Sequence, residues 1–195
     1  MEIKSVFNAT IYNSNIYQIS EEIKRRFHKD LEKIIISNYN GVLTDEFINP
    51  KSGGAHFPKF IIWSNEKDPN KVYFCSNYQD GLSNLANNIS KNLKCHTVSF
   101  MICNDKDIYP GYRYAVSNNG EELRFLQLIK DGSKWDFFMK GKPLEYENTT
   151  IYESRYYKNK LNNEIIINFL KHENININTF FEPIKNGILF ERIMW

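Results

Sequence analysis

The hydrophobic and polar positions of this chain change their period several times, and each change marks an element. Strand-like mixing from Ile3 to Tyr12 predicts an opening strand. From Glu21 to Ile36 the period lengthens. Ile23, Phe27, Leu31, Ile34 and Ile35 recur at helical spacing, with Ser20 as the expected N-cap and Glu21 and Glu22 in the first turn. Lys24, Arg25, Arg26 and Lys29 then fall on the wet side. The runs "HFPKFIIW" and "KVYFC", separated by the turn-rich "SNEKDPN", read as a hairpin. Asp80 reads as the N-cap of a second helix, whose apolar face carries Leu82, Leu85, Ala86, Ile89 and Leu93.

The centre is the clearest region. "HTVSFMIC", "YRYAVS", "ELRFLQLI" and "KWDFFM" are four strand-like runs joined by "YPG", "NNG" and "KDGS". Asn and Gly tolerate the positive φ of a tight hairpin turn, so these runs predict a four-strand antiparallel meander. Its expected common face holds Tyr112, Tyr114, Val116, Leu123, Phe125, Trp135, Phe137 and Met139. Beyond it, Thr150 and Glu153 stand at capping-box spacing. Leu161, Ile165, Ile166, Phe169 and Leu170 stripe a last helix, and "GILFERIMW" reads as a final strand. Neither a repeat nor a long linker divides the chain. The expectation is one α+β domain over 1–195, a central antiparallel sheet with the four-strand meander, flanked by about three helices. Within it, 1–50 hold an N-terminal strand and helix, 57–140 the hairpin, second helix and meander, and 150–195 the C-terminal helix and tail.

Composition sharpens this picture. Aromatics make up 15% of the chain, which favours a sheet-rich fold, and 42% hydrophobic residues exclude disorder. The 25 basic and 23 acidic residues leave a net charge of +2, neither the basic excess of a nucleic-acid or membrane binder nor the acidity of a nucleic-acid mimic. "MEIKSVFNATIYNS" lacks the pattern of an export signal, and the apolar runs fall far short of the ~20 residues that span a bilayer. With an odd count of three cysteines, the expectation is a cytoplasmic protein with reduced thiols. The abundance of Asn, Lys and Ile reads as the codon bias of an AT-rich, bacterial genome.

Several groups of residues invite a chemical reading. Cys75, Cys95, His96 and Cys103 are soft ligands, but no C-x-x-C pair exists, and Cys95 and His96 on one strand would point to opposite faces. No metal or other cofactor is expected. Cys103, beside "NDKD", is the best position for a reactive thiol, although His28, His56, His96 and His172 stand at no telling spacing to it. Gly53, Gly54 and His56 precede a strand, where a phosphate loop would feed a helix. Glu145, Glu147 and Glu153 are candidates for acid and base, yet Lys140, Lys142 and the capping duty of Glu153 favour a solvated connector. "YRYAVS" and "SRYYKNK" (Arg113; Arg155, Tyr156, Tyr157, Lys158) have the basic-aromatic texture of a nucleic-acid groove.

The order of "VYFC", "LSNLANNISKNL", "TVSFMICND", the module ending "KDGSKWDFFMKGKPLEYEN" and the tyrosine-rich "YESRYYKNKLNNEIIINFLKH" resembles the cytoplasmic immunity proteins that accompany bacterial polymorphic toxins. The likeness runs from Val72 to Asn174. It implies a non-catalytic inhibitor that binds one cognate protein toxin and occludes its active site, and it transfers no contact residue. Alternation alone nominates the solvent side of the meander and its turns: Arg113, Asn118, Asn119, Glu122, Arg124, Asp136 and Glu145. An antiparallel sheet with one wet face, rich in Tyr, Trp and Arg, suits such a role. The alternatives are a carboxylate-using enzyme with Glu145 or Glu147 as base, and a nucleic-acid-binding module.

Overall fold

The computed structural model describes residues 2–52, 54, 56–104, 106–107 and 110–195. Nine strands among them form one sheet: β1 (Val6–Asn13), β2 (Ile34–Gly41), β3 (Lys59–Asn65), β4 (Asp68–Ser76), β5 (Thr97–Cys103), β6 (Gly111–Asn118), β7 (Glu121–Asp131), β8 (Lys134–Gly141) and β9 (Ile184–Arg192). Their order is β2-β9-β3-β4-β1-β5-β6-β7-β8, and all these pairings are antiparallel. The expected meander is present as β5–β8, but it is one end of a sheet more than twice as wide. Strand β1 lies at the middle, buried on both faces, and the C-terminal run is an interior strand between β2 and β3.

The N-terminal helix is shifted and shortened relative to expectation. Helix α1 spans Ile16–Arg26, and its cap is Asn15, whose Oδ1 accepts from the Gln18 amide at 2.9 Å. Ser20 and Glu22 are thus mid-helix, and both are buried. The stretch from Ile34 onward leaves the helix to become edge strand β2, where consecutive β-branched isoleucines fit a pleated backbone. Only the first of them is covered there: Ile34 is buried, whereas Ile35 is 49% and Ile36 39% exposed. A mixed run of isoleucines supports both periods, and pairing with β9 decides between them.

Two apolar layers cover the sheet. On the face here called outer, α1 and α3 (Ser83–Leu93) lay Ile19, Ile23, Ala86 and Ile89 over Tyr12, Ile62, Val72, Phe74 and Phe190. Glu22 joins the two helices, accepting from Arg25 Nε and from Asn92 Nδ2, each at 2.7 Å. Asp80 is not the cap of α3. It lies two residues before the N-cap Leu82, whose amide donates to Asp80 Oδ1.

The inner face is covered by α2 (Asp45–Ile48), α4 (Tyr157–Lys160), α5 (Asn163–His172) and the tight turns Thr149–Glu153 and Ile177–Phe180. Phe180 is the hub, meeting Phe7, Trp63, Tyr73 and Phe100 edge-on. Thr150 and Glu153 form no capping box. They belong to the first of those turns, capped by Asn148, and α5 starts later, where Asn162 Oδ1 accepts from the Ile165 amide.

Candidate binding face

One extra residue decides which side chains of the meander meet solvent. Ser117 opposes Glu122 and Val116 opposes Arg124, so Leu123 is the inserted residue of a β-bulge. The insertion inverts the alternation of β7. Arg124, Leu126 and Leu128 join Tyr112, Tyr114 and Val116 on the inner face, with Trp135, Phe137 and Met139 of β8 alongside. Leu123 is exposed and Phe125 turns outward, contrary to the expected common face. Gly141 closes the bulge. It sits at φ +85°, and a Cβ there would come within 1.9 Å of the Leu123 carbonyl oxygen, so no other residue fits.

On the inner face Arg124 is only 1% exposed, so it is not a surface contact. Its Nε and Nη2 donate to Glu147 at 2.8 and 2.7 Å, and its Nη1 donates to the Gly141 carbonyl at 2.9 Å. Glu147, its side chain 0% exposed, also accepts from the Tyr152 hydroxyl at 2.6 Å and the Leu144 amide at 3.0 Å. Burial opposes the charge of Arg124, but the carboxylate outweighs it and holds the guanidinium above its ordinary value. Burial, then the same carboxylate, pushes the Tyr152 hydroxyl up. Every acceptor position of Glu147 is spent on joining the connector after β8 to β7.

A second polar chain fastens α5 to the sheet. The Tyr114 and Tyr146 hydroxyls are 2.6 Å apart, Tyr146 donates to Glu173 Oε1 at 2.7 Å, and His96 Nε2 meets Glu173 Oε2 at 2.9 Å. The hydrogen bond from His96 is the largest influence holding the Glu173 carboxyl below its ordinary value, against the cost of its burial.

The outer face of the same strands is different. The outer core cluster draws no residue from β6, β7 or β8 among the described residues. Met101, Ala115, Phe125, Gln127 and Ile129 are half-buried there, and Phe138 is 53% exposed and meets Phe125 edge-on at 5.9 Å. Glu122 and Lys140 pair across the rim at 2.9 Å. Helix α3 borders this face, its Ser90 hydroxyl 3.1 Å from that of Ser117. A trough of about 190 Å³ between them is lined by Asn87, Lys91, Ser117, Gly120 and Glu122, and it adjoins a smaller cavity at Arg113.

Of the nominated contacts, Arg113, Glu122 and Asp136 lie on the outer face, and Asn118 and Asn119 form the β6–β7 turn beside it. Asn119 and Gly120, at φ +50° and +81°, adopt the turn that "NNG" predicts. Arg124 leaves the set because the bulge turns it inward. Glu145 is exposed, but on the connector whose neighbours Leu144 and Tyr146 pack on the inner core. Sequence reasoning missed Phe125 because it read β7 as unbroken, and it passed over Phe138, on the same side of β8 as Asp136, because it nominated only polar side chains.

The remaining candidates are scattered. Cys75 is buried, and burial pushes its thiol well up; burial also raises the half-buried Cys95. Cys103 is 2% exposed, a core position and not a rim. Among the described residues no three His, Cys, Asp or Glu side chains are grouped to hold a metal ion. Gly53, Asp105 of "NDKD" and Tyr109 of "YPG" lie outside the described residues, and His56 Nε2 lies 3.1 Å from the Asn77 carbonyl oxygen. Tyr112 and Tyr114 are buried, which removes the stacking surface "YRYAVS" suggested. No described helix is long and apolar enough to cross a membrane. No family model, curated protein or solved structure matches the chain.

Proposed function

We propose that this chain is a non-catalytic protein-binding domain, an immunity protein that neutralises a cognate bacterial toxin by covering its active site. The observation that supports the reading is the outer face of β5–β8 beyond the edge of α3, where the outer core cluster draws no described residue. Its apolar centre (Met101, Ala115, Phe125, Ile129, Phe138) and charged rim (Arg113, Glu122, Asp136, Lys140) have the anatomy of a protein interface. Edge strand β8 carries Lys134 and Lys140, which discourage strand-by-strand association and leave the face as the surface for docking. The carboxylates lend less to a catalytic reading: Glu147 has no acceptor left for a substrate, and Glu145 lies in solvent.

The test is genetic first. The open reading frame directly upstream of this gene is expressed in a laboratory bacterium with and without this protein. Killing that co-expression relieves is the expected result, and Phe125→Asp with Phe138→Asp should abolish relief while leaving the melting temperature nearly unchanged. A harmless neighbour, or killing that this protein leaves untouched, refutes the toxin assignment. Relief that survives both outer-face substitutions refutes the face.

A further inference from the structure

The corner where β6 passes beneath the start of α3 holds an unsatisfied cation. Arg113 keeps some surface exposure as a residue, but its Nε is shut off from solvent and, among the described residues, has no hydrogen-bond partner. Its guanidinium makes a long contact, from Nη2 to the Asp80 carbonyl oxygen at 3.4 Å. A buried charged donor without an acceptor is costly, and native proteins rarely keep one without a use.

A second source of positive potential converges on the same place. Helix α3 has 11 residues, and no side chain caps its first turn, since its N-cap is Leu82 at φ +50°. Asp80, which would cap it, is turned back onto the Leu82 amide. The preceding Gly81 fixes how closely this loop approaches β1. It sits at φ +73°, and a Cβ there would fall 2.3 Å from Asn8 Oδ1. Asn8 in turn donates from Nδ2 to the Gln79 carbonyl at 3.0 Å.

Arg113 and the first residue of α3, Ser83, line one cavity of about 40 Å³ together with Thr10, Ser99 and Asn87. That exceeds the ~10–15 Å³ that a single water requires, and the lining is rich in donors. Two carboxylates stand near. Asp80 offsets part of the charge from the loop, and Glu122, on the cavity wall, is engaged by Lys140 at 2.9 Å. Phe125 forms another part of the wall, so the cavity opens at the margin of the outer face.

We infer that Arg113, under the N-terminus of α3, is the floor of a carboxylate-binding subsite, filled by one Asp or Glu side chain of the protein partner. The inference rests on the protein-binding reading above. The ligand class follows from size and geometry. A carboxylate head suits so small a space, and its two oxygens match the Nε and Nη donors of one guanidinium, as Glu147 matches Arg124 on the neighbouring strand. The partner residue would reach Arg113 beside Phe125, adding a charged anchor to the apolar centre of the face.

The test needs no partner. The full chain, 15N-labelled, is titrated with sodium acetate as the carboxylate probe and with sodium chloride at matched ionic strength. The arginine Nε–H resonances report binding, and Arg113→Gln assigns the Arg113 signal. Acetate should shift that signal saturably, with half-saturation on the order of 10 mM, while the Arg124 signal stays still as an internal control. A shift no larger than with chloride overturns the subsite and leaves an ordinary hydrated arginine. Inorganic phosphate saturating at a tenfold lower concentration than acetate overturns the carboxylate assignment. Because no toxin is present, failure here is distinct from failure of the co-expression test. With the partner in hand, Arg113→Gln should weaken binding about thirtyfold or more. Arg113→Lys, which keeps the charge and loses the fork, should fall between; equal affinity for all three forms overturns the assignment.

Discussion

Arg124 and Arg113 stand on neighbouring strands of one meander, the first facing inward and the second outward. Arg124 donates from Nε, Nη1 and Nη2 to a carboxylate and a backbone carbonyl, and its guanidinium is held above its ordinary value. Arg113 has a buried Nε with no acceptor among the described residues, and burial holds it below that value despite the opposing charge of Asp80. One face of the meander has completed its polar bonding, and the other has not. The inner face satisfies its polar groups through the C-terminal segment. The outer face of β5–β8 leaves apolar side chains partly uncovered and a buried cation unsatisfied, which is the condition of a surface awaiting a partner.

Breaking the inner pair should have the largest effect. Glu147→Gln leaves Arg124 buried without its counter-charge and should cost about 3–5 kcal/mol of stability by urea denaturation. The double variant Arg124→Met, Glu147→Leu removes both charges and should recover part of that loss. If Glu147→Gln costs under about 1 kcal/mol, the inner cluster is not the fastening described. Next is Gly141→Ala, which places a Cβ against the Leu123 carbonyl at positive φ. It should cost about 2–4 kcal/mol and loosen the β7–β8 amides in hydrogen exchange. Unchanged exchange would contradict the tight closure of the bulge.

A smaller effect belongs to Glu173. Its folded pKa is lowered, so the unfolded chain binds more protons in the acid range. Its contribution to stability is therefore fully present above the ordinary carboxylate value and is lost as pH falls through the lowered one. The stability gap between the parent and Glu173→Gln should close progressively as pH falls below about 4.5. A gap that widens below that pH would reverse the assignment. The smallest change is expected on the outer face, where Phe138→Ser should alter stability by less than about 0.5 kcal/mol.

Much of this arrangement was legible in the chain. Alternation and turn chemistry located β3 through β8, because "NNG" and "KDGS" leave few other conformations, and the stripe of Ile166, Phe169 and Leu170 found α5. Two things were hidden. The isoleucines at 34 to 36 fit either period, and only the long-range pairing of β2 with β9 turns them into a strand. The bulge at Leu123 has no local signature, yet one inserted residue exchanges every side chain beyond it between the faces. That single slip moved Arg124 from the expected contact surface into the core, and concealed Phe125. The pairing of Arg124 with Glu147 spans 23 residues and depends on how the connector folds back, so spacing alone could not reveal it.

The most direct measurement compares Arg124→Met and Arg113→Met by urea denaturation at neutral pH. Opposite signs are expected: a loss of about 3–5 kcal/mol for Arg124→Met, which strands a buried carboxylate, and no loss or a gain of up to about 1 kcal/mol for Arg113→Met, which removes an unsatisfied buried charge. Comparable destabilisation by both would mean that Arg113 serves the fold as Arg124 does, and the outer face would lose its claim to be kept open for a partner.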